Sequence, residues 1–465
     1  MATQRSHFNI LDLDRLGIEF VRIQWVDLVN KVGYKVVPLS RFKKMILGSR
    51  PGVNFSKATL GLVFLEIAEG FSSFGEYLYV VDMDSLRPCP YAPGHASVMG
   101  WYEEKNPRPD CDQSLAYFVD LCPRTLVRRI TDEAKSLGID FLVGFETEFI
   151  LLKSAAQIEP VNNHGWSYSS SLRTGSTELS VMEEIARTLE QSGIELEAWH
   201  AEASPGQYEV VTGPLPPIQA IDNLVHTREA IYNIAHKHGL HATLAPRLHG
   251  LRFGSAAHSH FSLQEATPSG TSEESQFLTK SEAAFLSGVL AHLPAMSLLA
   301  LPVPASYMRM DDEAHAGGTY VSWGSDQRSA PVRLCCADEP EARNFEFRLL
   351  DGVANPYVAL AGILGAGLSG IKEKRRLVIR DCLGDRAPAD MTEEERTKMG
   401  ITERMPLTWE EARECLKKDD GFKAILGNNF VDKYLTVNEL QAEYFAKKTD
   451  ENDDEAGLLR IIEHY

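Results

Sequence analysis

Two carboxylates lie two residues apart inside an apolar segment, from Gly144 to Ile150, and this spacing constrains the fold more than any other feature of the sequence. Residues two apart on a β-strand project from the same face, so Glu146 and Glu148 are predicted to stand side by side. Like charges this close raise each other's pKa unless a cation lies between them. The pair therefore predicts a strand that holds a metal ion, with an exposed strand face as the alternative.

Three later segments repeat this arrangement of acids, bases or a guanidinium on one strand face. A single histidine on an apolar strand is more often a core residue than a ligand, but four such segments are harder to explain in that way. The shared faces carry Gln207 and Glu209, joined to Glu202 through a Pro-Gly turn, then His258, His260 and Ser262, and then Glu346 and Arg348.

The combined set suits hard divalent cations and phosphate oxygens if the four segments line one curved sheet. It comprises five glutamates, two histidines and an arginine, and it predicts magnesium or manganese. The set contains no cysteine, which disfavours zinc. Further along, Arg328 and Arg333 are predicted to clamp a transferring phosphoryl group, with ordinary salt bridges as the alternative.

Charge and hydropathy exclude two classes of partner. The formal net charge of −18 argues against nucleic acid or an anionic membrane, since both are bound through clustered Lys and Arg. The apolar stretch 285–308 is interrupted by His292 and three prolines, so we expect no membrane span there. Residues 1–9 do not read as a secretory signal and the seven cysteines show no C-x-x-C pair, so we expect a cytoplasmic protein with reduced thiols.

Local patterns divide the chain into a β-rich beginning and a longer α/β part. Strands are predicted at 21–26 and 34–38, and a Pro-rich stretch after Arg87 places a domain border near residue 112. Apolar residues four apart predict a helix over 123–137, which Gly138 would end before a strand at 140–152. Charged helices are predicted at 391–398 and 410–420.

Taken in order, these segments resemble the glutamine synthetase family over nearly the whole chain. No P-loop or kinase glycine-rich loop is present, as is typical of a family that binds ATP in a barrel mouth. The motifs that carry the resemblance are Glu146-Thr-Glu148, Pro205-Gly-Gln-Tyr-Glu209, His258-Ser-His-Phe-Ser-Leu263, Ser306-Tyr-Met-Arg309, Ser322-Trp-Gly324 with Arg328-Ser-Ala330, and Phe345-Glu-Phe-Arg-Leu-Leu-Asp351 with Ala354-Asn-Pro-Tyr-Val-Ala-Leu-Ala361.

The resemblance implies roles for individual residues. A first metal would be held by Glu148, Glu202 and Glu209, and a second by Glu146, His258 and Glu346. Substrate carboxylates or the transferred phosphate would contact His260, Arg309 and Arg348, with Gly254 supplying a backbone contact to the amino acid. The ATP phosphates would be neutralised by Arg328 and Arg333, and Ser262 would contact the nucleotide. Arg328, Arg348 and His260 are the residues we expect to act in catalysis.

The resemblance also implies a reaction, a fold and an assembly. The fold is α+β, with a small β-grasp domain at 15–112 followed by a glutamine synthetase-type catalytic domain at 113–465 that contains a curved antiparallel sheet. The reaction joins the γ-carboxylate of glutamate, or a similar acid, to an amine through an acyl phosphate, using ATP and two or more Mg²⁺ or Mn²⁺ ions per site. Family members form homo-oligomers of stacked rings with active sites between subunits.

The chain departs from ammonia-using members in the places that handle ammonium. The segment 52–57 contains Asn54 but no carboxylate where those members carry an ammonium-binding aspartate, and His315 or Ala316 stands where they carry a flap glutamate. Phe253 and Asn344 also replace an asparagine and an arginine of the family. The form Ser-Trp-Gly-x-Asp-x-Arg at 322–328 is similar to the γ-glutamyl-amine branch.

Three readings of the function therefore remain. The departures favour an organic amine over ammonia as the second substrate. The first alternative is an ammonia-dependent glutamine synthetase in which Glu313 replaces the flap glutamate. The second alternative is a non-catalytic structural or signalling member of the fold.

Overall fold

The structure is a computed structural model that describes residues 8–109, 116–163, 172–248, 254–312, 317–384, 386–447 and 455–465. The first residues, on which the expectation of no secretory signal rests, and the predicted border at residue 112 lie outside these ranges. The division into a β-grasp domain at 15–112 and a catalytic domain at 113–465 stays a prediction.

The beginning of the chain is built from short strands. Its strands form a four-stranded sheet in the order β2-β1-β8-β7, a three-stranded sheet β3-β6-β9 and the pair β4-β5. Apolar side chains between Leu13 and Cys122 pack into one core cluster. The elements are α1 Ile10–Arg15, β1 Phe20–Val26, β2 Val32–Pro38, α2 Leu39–Met45, β3 Gly52–Ser56, β4 Leu62–Val63, β5 Glu66–Ile67, β6 Glu76–Val81, β7 Arg87–Pro88, β8 His95–Val98 and β9 Gly100–Glu104.

A nine-stranded sheet, here called the central sheet, forms the framework of the remaining chain. Its order is β12-β13-β10-β15-β18-β17-β16, and β11 and β14 also pair with β10. Neighbours are antiparallel except β16 and β17, which are parallel. The strands are β10 Ile139–Ser154, β11 Gln157–Pro160, β12 Leu196–Ala201, β13 Gln207–Leu215, β14 His241–Thr243, β15 Ser259–Glu265, β16 Trp323–Ser325, β17 Val332–Cys335 and β18 Asn344–Phe347.

Helices pack on the central sheet and on one another, and α3 and α5 both contact β10. Together they give a mixed α/β fold. The helices are α3 Pro123–Ser136, α4 Thr177–Gln191, α5 Pro217–Lys237, α6 Lys280–Ala300, α7 Pro356–Glu373, α8 Glu393–Lys398, α9 Trp409–Lys418, α10 Asp420–Leu426, α11 Asn428–Ala446 and α12 Ala456–His464.

Several local predictions are confirmed. Helix α3 begins at Pro123, and Gly138 follows it at φ +75°, a left-handed conformation that glycine adopts without steric penalty. In the stretch 285–308, where no membrane span is expected, α6 continues through Pro294. This helix has the length and apolarity of a membrane span, yet 89 % of its most apolar window is buried, as in the core helix of a globular fold. Packing of its side chains outweighs the one backbone hydrogen bond that proline cannot make.

Candidate active site

The register of the central sheet brings the four predicted segments together. Glu148 on β10 is paired with Glu209 on β13, and His260 on β15 is paired with Glu346 on β18. Strand β10 lies between β13 and β15, and the amide of Glu146 donates to the carbonyl of His258 at 3.0 Å. Residues from distant parts of the sequence therefore lie on adjacent strands.

One cluster, called cluster A, consists of Glu146, His258 and Glu346. Each residue offers one ligand atom, and these atoms all lie within 4.8 Å of one another. The distance from His258 Nδ1 is 2.8 Å to Glu146 Oε2 and 3.5 Å to Glu346 Oε1. His258 Nε2 is buried and has no hydrogen-bond partner among the described residues. These are the three residues that the resemblance assigns to one metal.

A second cluster, called cluster B, consists of His200, Glu202 and Glu209, again with ligand atoms within 4.8 Å of one another. His200 Nδ1 lies 3.6 Å from Glu202 Oε1, and His200 Nε2 lies 3.3 Å from Glu209 Oε1. The hydrogen bond to Glu209 is the main cause that raises the pKa of His200 to about 9. Sequence reasoning missed His200, although it precedes Glu202 by the same two-residue spacing.

Glu148 lies between the two clusters. Its Oε1 is 3.9 Å from His258 Nδ1, and its Oε2 accepts hydrogen bonds from Gln207 Nε2 at 2.8 Å and from the amide of Ala256 at 3.0 Å. Burial, followed by the charges of Glu209 and Glu202, raises the pKa of Glu148 to about 8. Negative charge is therefore in excess at this point of the sheet.

Glu146 is held ionised by two imidazoles. Burial alone would raise its pKa, but hydrogen bonds to His258 and His260 outweigh burial and hold the pKa well below its ordinary value. His260 Nε2 lies 3.1 Å from Glu146 Oε1, and His260 Nδ1 lies 2.9 Å from Asn344 Oδ1. Asn344, which stands where the family carries an arginine, thus orients the imidazole of His260.

Three predicted arginines reach the central sheet, and one does not. Arg348 Nη1 donates to Glu346 Oε1, and Arg333 Nη1 donates to Glu346 Oε2 at 3.1 Å. Arg309 is buried and donates to the carbonyl of Leu349 at 3.1 Å. Arg328 lies exposed in the turn between β16 and β17 and, within the described ranges, forms no ion pair with either cluster.

Gly254 and Ser262 occupy the margins of the site. A Cβ at Gly254 would lie 2.3 Å from the carbonyl oxygen of Pro246 and 3.0 Å from Arg309 Cγ, so only glycine fits there. The carbonyl of Gly254 accepts from Gln207 Nε2 at 3.0 Å. Ser262 is half-buried on β15 and accepts from Gln264 Nε2 at 3.2 Å.

The donor set fits divalent cations. Carboxylate oxygens dominate both clusters, which suits Mg²⁺ or Mn²⁺, and each cluster adds one imidazole. Burial and the neighbouring carboxylates raise the pKa of Glu148, and a divalent cation beside these groups would oppose that shift. Each cluster is a group of side chains that could hold a metal ion.

Only some of the residues expected to differ from ammonia-using members lie within the described ranges. Phe253 and the flap residues Glu313, His315 and Ala316 lie outside them. Asn54 is exposed on β3, and Lys35 Nζ donates to its carbonyl oxygen at 2.7 Å. The place expected to hold an ammonium-binding carboxylate therefore carries an amide beside a lysine.

Comparison with known proteins reveals matches along nearly the whole chain. The family model described as "Glutamine synthetase, catalytic domain" matches residues 120–456. Protein fluG of Emericella nidulans is 33 % identical over 459 residues, covering 97 % of this chain, which spans only 49 % of that relative. A glutamine synthetase of Staphylococcus aureus is 28 % identical over 450 residues, covering 94 % of each chain.

Solved structures share the fold. A crystal structure described as a novel glutamine synthase homolog has a TM-score of 0.78 at 25 % identity, covering 96 % of this chain and 99 % of that chain. A GmaS/ADP complex has the same TM-score at 22 % identity, covering 97 % and 99 %.

Proposed function

The chain belongs to the glutamine synthetase family, a class of carbon–nitrogen ligases, and from this premise we propose that it joins the γ-carboxylate of glutamate, or of a similar acid, to an organic amine with hydrolysis of ATP. A carboxylate oxygen attacks the terminal phosphorus of ATP and releases ADP. The amine nitrogen then attacks the acyl phosphate, and phosphate leaves as the amide forms.

The observation that carries the proposal is the meeting of clusters A and B on adjacent strands of one sheet. Two sets of carboxylate and imidazole ligands suit two divalent cations. Bound there, the cations would neutralise charge on phosphate oxygens during the transfer. A non-catalytic member of the fold would have no need of such a concentration of buried carboxylates, which destabilises the folded state without cations.

The protein's own cations are placed to complete this neutralisation. Arg348 and Arg333 both contact Glu346 and keep their guanidinium groups beside cluster A. Arg309, behind Gly254, would face a substrate carboxylate, and His260 would face the transferred phosphate. Arg328, exposed at the turn after β16, would contact the ATP phosphates, with Arg333 beside it and Ser262 near the nucleotide.

The environment of Asn54 favours an organic amine over ammonia. Ammonium is a cation at neutral pH, so a site that concentrates it and removes its proton needs negative charge. Strand β3 supplies the amide of Asn54 instead, and Lys35 of β2 places its ammonium group beside it. An amine with an organic substituent can be bound through that substituent.

A substrate panel tests the reaction. The purified protein is supplied with glutamate, ATP and Mg²⁺ and with ammonia, methylamine, longer monoamines or polyamines, and phosphate release and the amide product are measured. We expect phosphate release with an organic amine and little with ammonia. Turnover with ammonia equal to that with the best amine would favour the ammonia-dependent alternative, in which Glu313→Ala should abolish glutamine formation. No turnover together with no binding of Mg-ATP would favour the non-catalytic alternative.

A single substitution tests the amine preference. Asn54→Asp adds a carboxylate where ammonia-using members carry one, so we expect the ratio of ammonia to amine turnover to rise several-fold. Ser56→Asp is the matched control, because Ser56 lies two residues further along the same strand face and its replacement adds the same charge. An equal change in both variants would contradict a specific role for position 54.

The proposed assembly and location follow from the family. We propose a cytoplasmic homo-oligomer of stacked rings in which the β-rich beginning of one subunit, with Asn54, covers the site of its neighbour. Size-exclusion chromatography with light scattering measures the mass. A monomer that is fully active would contradict the shared site.

A further inference from the structure

A cavity of about 280 Å³ lies beside α5 and contains none of the residues of cluster A or B. Its walls come from the turn between β1 and β2, from α5, from β14 and from the end of the chain. The lining includes Lys31, Arg228, Glu229, Tyr232, His241 and Tyr465. Its volume is close to the lower end of the range for small-molecule sites.

Arg228 is the feature of this cavity that the fold itself does not explain. Its side chain is buried, with 4 % of its surface exposed. All three guanidinium nitrogens are buried, and none of them has a hydrogen-bond partner within the described part of the chain. Burial lowers the pKa of Arg228, and the nearby Tyr232 and Asp351 oppose only part of this shift. A buried guanidinium without acceptors destabilises the folded protein, since it keeps its charge.

The other charged groups of the cavity are one lysine and two carboxylates. Lys31 Nζ donates to the carbonyl of His464 at 2.7 Å and lies 5.5 Å from the ring centre of Tyr465. Two carboxylates, Glu229 and Glu463, also line the cavity. Burial raises the pKa of Glu229 to about 7, so this group is only partly ionised near neutral pH. Lys31 thus has a backbone acceptor, whereas Arg228 has no hydrogen-bonding acceptor within the described residues.

We propose that this cavity binds a small anion bearing a carboxylate or phosphate group, with Arg228 as its main partner. Guanidinium binds the two oxygens of such groups with parallel hydrogen bonds, which would satisfy the nitrogens that lack partners. The aromatic rings of Tyr232 and Tyr465 would contact the remainder of the ligand. This site is independent of the reaction proposed above, because it shares no residue with it.

The position of the cavity connects it to the active-site strand. Strand β14 pairs with β10 through Leu151 with Ala242 and Leu152 with His241. His241 lines the cavity, and β10 carries Glu146 and Glu148. A ligand in the cavity would therefore contact a strand that is hydrogen-bonded to the one holding the predicted metal ligands.

Isothermal titration with two probes, succinate and inorganic phosphate, tests the proposal on the full chain in metal-free buffer. We expect Arg228→Met to weaken binding of the preferred probe by about tenfold or more, from the loss of charged hydrogen bonds. Which probe binds better distinguishes a carboxylate from a phosphate ligand. Arg333→Met, which removes an arginine of the active site, should leave this binding unchanged. Arg187→Met removes an exposed arginine of α4 and should also leave this binding unchanged, which controls for the loss of one positive charge.

Thermal unfolding without ligand gives a second readout. An unpaired buried charge is removed in Arg228→Met, so we expect its Tm to rise by about 2 °C or more above the wild type. Succinate or phosphate should raise the Tm of the wild type but not of the variant. A lower Tm in the variant, no binding of either probe to the wild type, or binding lost in Arg333→Met but kept in Arg228→Met would each overturn the proposal.

Discussion

The central sheet and the cavity beside α5 both bury charged groups, but the two regions differ in the sign of the charge and in its neutralisation. In the sheet, the three ligand atoms of each cluster lie within 4.8 Å of one another, and imidazoles and arginines neutralise part of the negative charge. In the cavity, Arg228 has no hydrogen-bonding acceptor within the described residues. This contrast is the basis for proposing a cation as the ligand of the first region and an anion as the ligand of the second.

The largest expected effect concerns the catalytic side of this comparison. Glu346 contacts His258, Arg333 and Arg348, so Glu346→Gln removes the charge of a predicted metal ligand and of the partner of two arginines. We expect amide formation to fall by about 100-fold or more, because charge stabilisation during phosphoryl transfer is lost. Steady-state phosphate release measures it, and Glu341→Gln, an exposed glutamate nearby, is the control. Unchanged activity would show that cluster A is not catalytic.

A smaller effect is expected on stability when a carboxylate of the sheet loses its charge. The pKa of Glu148 is about 8 in the folded protein, above its ordinary value of 4.5. The folded state thus holds this proton more tightly, so its stability falls as pH rises from about 4.5 to about 8. In metal-free buffer we expect Glu148→Gln to be more stable than the wild type at pH 8, by on the order of 1–3 kcal/mol, and the difference to vanish near pH 4.5.

Urea unfolding at several pH values measures this difference. The replacement retains an oxygen that can accept from Gln207 and Ala256, so the hydrogen bonds are preserved. A difference in stability that does not depend on pH would contradict the assignment of the charge to Glu148.

The independence of the two regions predicts additive stabilisation. Magnesium should raise the Tm through clusters A and B, and the preferred anion should raise it through Arg228. The size of each rise depends on how fully the site is saturated with its ligand. Because the residues involved are separate, the two increases in the free energy of unfolding that correspond to these Tm shifts should add within about 0.5 kcal/mol. Differential scanning calorimetry with each ligand alone and with both measures the sum. A clear departure from additivity would show that the pairing of β14 with β10 couples the regions.

The smallest effect concerns Asp27, beside Lys31 at the edge of the cavity. Burial raises the pKa of Asp27 to about 7, although its carboxylate accepts from the amides of Val29 and Lys31. The folded-state pKa is raised, so stability is lost as pH increases toward about 7 and the loss persists above it. We expect Asp27→Asn to stabilise the protein by up to about 1 kcal/mol above pH 7. Asp14→Asn, at an exposed ion pair, should have no such effect in the same thermal scans.

Much of the central sheet could be predicted because its signals are local. Two-residue spacing placed Glu146 with Glu148 and His258 with His260 on strand faces, and the structure places these residues on β10 and at the start of β15. Arg328 shows the limit of this reasoning, because its position five residues before Arg333 says nothing about exposure. The same two-residue spacing relates His200 to Glu202, but His200 was recognised only from its pairing with Glu209 on the neighbouring strand.

By itself the sequence determined which residues are neighbours along each strand, where helix α3 ends, and which motifs identify the family. Tertiary structure alone decided that Glu148 faces Glu209, that Asn344 orients His260 and that Arg228 lacks an acceptor. The physical reason is that backbone geometry repeats every two or 3.6 residues and can be read locally. Strand register and the burial of a side chain depend instead on how the whole core packs, which no short segment contains.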